Sequence, residues 1–190
     1  MIKTAVILVL LLLPLWLIYR ILAHKKGTFQ LKKELLLFTF FSYLIGVATL
    51  TVIPTHAMSR NKIPSGNINL IPVVNSVRRY YRYKNPAYNL EMHVFYLNFF
   101  GNIILFIPVG FLLPLLIKDI TFRKVLLIAF VGSACIEMLQ FISYTLHVYR
   151  YIDVDDVLLN VAGAAMGYGI YQLLYILFLR SSAGRNKKPG

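Results

Sequence analysis

Acidic residues are scarce in this chain, with 7 Asp and Glu against 20 Lys and Arg in 190 residues. Charged residues of both signs reach only 14% while hydrophobic ones reach 58%, a balance that excludes a soluble domain of this size. Cysteine occurs once, at Cys135, so no internal disulfide can form and the redox compartment is not legible. The four histidines, His24, His56, His93 and His147, are scattered without ligand spacing, which argues against a metal site. No activated Ser, Cys or His nucleophile with a nearby base is recognisable, and no glycine-rich loop is built to cradle phosphate. Catalytic residues are therefore unassigned, and no cofactor is expected. The basic excess falls between apolar runs, where anionic lipid is a better counterion than nucleic acid, so membrane lipids are the expected partners.

What the chain has in abundance is long apolar sequence. Five runs, Ala5–Leu22, Leu35–Ile53, Val94–Ile117, Val125–Leu146 and Val157–Leu179, approach or exceed the roughly 20 helical residues needed to cross ~30 Å of hydrocarbon. They predict an all-α fold, a polytopic membrane bundle of about five spans plus a short interfacial helix. Residues 1–34 form a first span with a basic loop, residues 35–179 the bundle with a long loop at 54–93, and residues 180–190 a basic tail. The first run lacks a small-x-small cleavage site and is expected to be retained. Counting Lys and Arg on alternate sides gives twelve on the side of Lys25 and Arg185 and eight on the side of Arg60 and Arg150. The positive-inside rule then places the amino terminus outside and the carboxyl terminus in the cytoplasm.

Within the long loop, Val73, Val74, Val77, Tyr80 and Tyr81 recur at helical spacing while Arg78, Arg79 and Arg82 point mostly elsewhere. Such a helix can lie flat, with apolar side chains in the acyl boundary and guanidinium groups at phosphate level. Pro72 suits its first turn. The three arginines serve either as lipid-phosphate contacts or as a solvated loop face.

Polar residues concentrate farther on. Asn98 and Asn102 share a face of the third run, Glu137 and Gln140 share a face of the fourth, and Asp156, Asn160, Gly163 and Gly167 form one stripe on the fifth. At 1.5 Å per residue, Asn102, Glu137 and Asn160 come out at similar depth, on the order of 6–14 Å from the outer surface. The two glycines would allow close approach of a neighbouring helix. Asp153, Asp155 and Asp156 serve equally well as helix caps. Glu137 is harder to explain by packing, because a mid-helix carboxyl in a membrane costs at least ~2.5–3.5 kcal/mol; its expected partners are Arg150, a proton or a ligand.

The ordered segments Asn67-Ile-Asn-Leu-Ile-Pro72, Asn98-Phe-Phe-Gly-Asn102 through Pro108-Val-Gly110 to Pro114, Glu137-x-x-Gln140, and Arg150-x-x-Asp153-x-Asp155-Asp156-x-x-x-Asn160-x-x-Gly163-x-x-x-Gly167 resemble the VanZ-like family across about residues 67–172. The resemblance implies a small bacterial multi-spanning protein of the cell envelope, associated with resistance to teicoplanin, a lipid-tailed glycopeptide. It implies no settled reaction. The expectation is a non-enzymatic protein whose partner is a lipid-linked cell-wall precursor or the lipoglycopeptide itself. Asn98, Asn102, Glu137, Gln140, Arg150, Asp153, Asp155, Asp156 and Asn160 would bind it, and Arg78, Arg79 and Arg82 would meet lipid phosphate. The alternative is an enzyme or transporter acting on a phosphorylated lipid, with Glu137 and Asp156 handling protons or a metal.

Overall fold

The computed structural model describes residues 16, 18–20, 22, 30–51, 68–69, 71–145 and 152–185. Its elements are α1 (Leu31–Thr51), β1 (Ile68–Asn69), α2 (Val74–Tyr83), a 3-10 turn (Pro86–Tyr88), α3 (Asn89–Leu116), α4 (Phe122–Thr145), β2 (Ile152–Asp153) and α5 (Val154–Arg185). Lys32–Thr51, Pro86–Leu116, Phe122–Ile142 and Val154–Phe178 are long and apolar enough to cross a membrane, which makes this a multi-pass membrane protein. Most of the first expected span lies outside the described residues. Its described part is helical at Trp16, Ile18–Arg20 and Leu22; Trp16 packs on Phe38 and Arg20 pairs with Glu34.

The third span begins at Asn89, earlier than the apolar run at Val94. The Asn85 side chain accepts the Ala87 N–H at 3.0 Å and Pro86 opens the 3-10 turn, so the chain is already coiled when the polar residues before Val94 are reached. The helix continues through Pro108 and Pro114, as membrane helices tolerate when neighbouring helices cover the freed carbonyls.

Apolar side chains are as comfortable in lipid as in a protein core, so the bundle has to be held by packing and hydrogen bonds. Its centre is the contact of α3 with α5. A Cβ on Gly163 would overlap the carbonyl oxygen of Ile103, one on Gly167 that of Ile107, and one on Gly110 that of Ala164. The absence of three side chains thus brings two backbones together, and α4 closes on them with Val125 and Ala129 beside Phe106, Val109, Leu113 and Ala164. The Tyr43 hydroxyl ties α1 to α3 by donating to the Leu105 carbonyl at 2.5 Å. Gln140 donates to the Thr51 carbonyl at 3.0 Å, satisfying one of the orphan acceptors at the end of α1.

Candidate functional site

Two residues of parallel pairing place the site. Ile68 and Asn69 run beside Ile152 and Asp153, fastening the segment before α2 to the start of α5. Asp153 is buried and accepts from Asn69 Nδ2 at 2.7 Å, from the Asp155 N–H at 3.0 Å, and from Arg79, with which it forms an ion pair. It is at once the cap of α5 and the anchor of α2. Asn69 Oδ1 in turn accepts from the Asn75 side chain at 2.6 Å and the Ile71 N–H at 3.3 Å.

Asp155 serves a different helix from the one it stands in. Its carboxylate accepts the Val73 N–H at 2.6 Å and the Ser76 hydroxyl, and so supplies negative charge at the N-terminus of α2, which has no side-chain cap of its own. Val73 has φ 66° and ψ −45°, and the Val74 N–H meets the Pro72 carbonyl at 2.7 Å, close to the rare γ-turn with positive φ. A β-branched residue there is strained by roughly 1–3 kcal/mol, and the bond to Asp155 helps hold it. This corrects the expectation for Pro72: it precedes the tight turn, and α2 starts two residues later, because the chain must first turn toward Asp155.

The carboxyl of Glu137 accepts the Asp153 N–H at 3.3 Å, a backbone partner that the sequence reading did not foresee. Asp156 lies within electrostatic range of Asp153, Glu137, Arg79 and Asp155. Glu137, Asp153, Asp155 and Asp156 thus lie near one another at the start of α5, and Arg79 pairs with Asp153. Among the described residues no three His, Cys, Asp or Glu side chains are disposed as metal ligands. One turn deeper, Asn160 donates to the fully buried Ser133 at 2.7 Å, while Asn160 Oδ1 is buried without a described partner.

The residues singled out from sequence fall into groups. Glu137, Asp153, Asp155 and Asp156 come together, and Asn160 continues the column. Gln140 faces the end of α1. Asn98 is exposed and Asn102 half-buried on α3, and neither joins the hydrogen bonds of the cluster among the described residues. Arg150 lies outside the described residues. The arginines divide: Arg78 and Arg82 are exposed, whereas Arg79 is half-buried and held by Asp153 and Ser76. Ser76, Asn75 and Ser133 were missed, since a lone hydroxyl or amide carries no spacing signal.

Beside this cluster runs a groove of about 450 Å³ between α2, α3 and the first turns of α5. Val73, Val77, Tyr80 and Tyr81 form one wall, Phe95, Tyr96, Phe99 and Phe100 the other, and Leu158 and Leu159 the floor. Ser76 and Asp155 stand at its polar end.

The sequence model of the VanZ/LLP1 family matches residues 40–177, a span that contains α3, α4, the groove and the whole carboxylate cluster. No curated protein and no solved structure matches the chain.

Proposed function

The chain belongs to the VanZ-like family, and we propose that it binds or shields a lipid-linked envelope component, or the lipid tail of a teicoplanin-type glycopeptide, at the outer leaflet. The family name supports the link to glycopeptide resistance. The observation that carries the reading is α2: a basic amphipathic helix anchored through Arg79 to Asp153 and through Ser76 to Asp155, with Arg78 and Arg82 left exposed on the face away from the groove. Guanidinium forks match phosphate and carboxylate oxygens, so those two arginines would hold the head of a bound lipid or drug while apolar parts rest against the bundle. Arg79 acts as a strut within the protein. Glu137, Gln140, Asn102, Asn98, Asp156, Asn160 and Arg150 would complete the polar surroundings.

The gathering of Glu137, Asp153, Asp155 and Asp156 favours a second reading, an enzyme or transporter for a phosphorylated lipid in which Glu137 and Asp156 exchange protons. Teicoplanin susceptibility separates the two. In a host where the parent protein raises resistance, Arg78→Gln with Arg82→Gln should lower it at unchanged membrane abundance under the binding reading. Full resistance in that double variant, with loss in Asp156→Asn, would favour the second.

A further inference from the structure

We infer that α2 is a latch that exchanges the first turn of α5 for an anionic lipid surface, with Arg79 passing from the Asp153 carboxylate to lipid phosphate. The inference rests on the proposed role of α2 at the membrane surface and adds what moves the helix. No residue of α2 is buried, and its hold on α5 is polar: Arg79 on Asp153, and Ser76 and the Val73 N–H on Asp155. Charge-assisted contacts of this kind can be traded for others like them, which a buried apolar face could not be without exposing its area. Docked, the helix leaves Val74, Val77 and Tyr81 exposed. The positive φ of Val73 is strained, and that strain offsets part of what Asp155 contributes to docking.

Charge and placement identify the second partner. Val74–Tyr83 carries Arg78, Arg79 and Arg82 with no acidic residue, and Lys84 follows. At about 100° per residue the three arginines fall within roughly a third of the helix circumference, and Val74, Val77, Tyr80 and Tyr81 occupy a separate arc, the layout of a helix that lies in an interface. Asn85 joins α2 directly to the membrane-spanning stretch that starts at Pro86, so the helix stands at the end of a span, where lipid phosphate is. An arginine brought to an anionic surface gains about fivefold in binding, and three gain on the order of a hundredfold. The half-exposed Arg79 pair with Asp153 holds the docked state by about 30- to 150-fold. The two holds are of one size, so lipid charge decides between them.

The test uses the full chain with Tyr81→Trp in a Trp16→Phe background, in nanodiscs whose brominated acyl chains quench a tryptophan that enters them. Between pure phosphatidylcholine and an equal mixture with phosphatidylglycerol, the quenched fraction should rise from below about a tenth to about half. Sodium chloride at about 0.5 M should reverse the rise by screening. Inorganic phosphate added to neutral discs should not produce it, because only lipid phosphate brings acyl chains with it. Asp153→Asn should be quenched in neutral discs already, and so should Arg79→Gln, which leaves the Asp153 cap of α5 intact and so excludes misfolding of that helix as the cause. Equal quenching in neutral and anionic discs, or no gain in either variant in neutral discs, overturns the latch. Quenching driven by inorganic phosphate overturns lipid as the partner. Charge-dependent quenching with unaltered teicoplanin susceptibility in the Arg78 and Arg82 variant would defeat the proposed function alone; lost resistance in that variant with quenching independent of lipid charge would defeat the latch alone.

Discussion

Asp153→Asn separates a helix cap from an anchor, because the two roles predict different magnitudes. As a cap, Asn serves nearly as well as Asp, and the substitution should cost only ~0–1 kcal/mol. Asp153 does more than cap: it pairs with Arg79 and accepts from Asn69 while only 6% exposed. Removing the charge strands a guanidinium whose side chain is 31% exposed. Breaking a fully buried pair from one side costs ~3–5 kcal/mol, and the partial exposure of Arg79 lowers this to about 2–3 kcal/mol. The loss falls on the docking of α2, since Arg79 is the partner that needs the charge, while Asn can still accept the Asp155 N–H that caps α5. Hydrogen exchange read by mass spectrometry should therefore show the amides of Val74–Tyr83 exchanging about 30- to 150-fold faster, with α3 and α4 unchanged. Arg79→Gln should act similarly, and the double variant should be little worse than either single one, a coupling of roughly 1–3 kcal/mol. Additive effects in the double variant, or acceleration below fivefold in Asp153→Asn, would refute the anchor.

Gly163→Ala places a methyl against the Ile103 carbonyl, so α3 and α5 must separate; the expected loss of about 1–3 kcal/mol should appear as a lower unfolding temperature, with Gly132→Ala, which meets open space, as the silent control. Glu137→Gln keeps an acceptor for the Asp153 N–H while removing the charge. It should leave insertion and abundance intact and reduce any resistance phenotype; full resistance at normal abundance would make Glu137 a packing residue. Cysteines at Ser65 and Asn85 in a Cys135→Ser background should react with an impermeant thiol reagent on intact cells, and labelling only after lysis would reverse the orientation.

Sequence alone determined the class of solvent, because long runs of apolar residues leave the chain no stable fold in water. It also determined the family and a close helix approach at Gly163 and Gly167, since small residues four apart on one stripe have a direct meaning in a membrane, where close backbone approach replaces hydrophobic burial; that the neighbour is α3 was decided by the tertiary structure. The depth match read for Asn102, Glu137 and Asn160 did not join them: Asn160 bonds Ser133, Glu137 accepts the Asp153 N–H, and Asn102 enters neither contact among the described residues. Tertiary structure decided the partners. That Asp155 caps α2 across a separation of about eighty residues, that Asp153 both caps α5 and anchors Arg79, and that Glu137 meets a backbone N–H all follow from the pairing of Ile68–Asn69 with Ile152–Asp153. A two-residue strand has no periodicity to read. The groove was hidden for a related reason: an aromatic face on α2 or α3 looks like lipid contact in either helix alone, and becomes a cavity only when Asp155 and Asp153 fasten α2 to α5, whose seam with α3 sets the other wall.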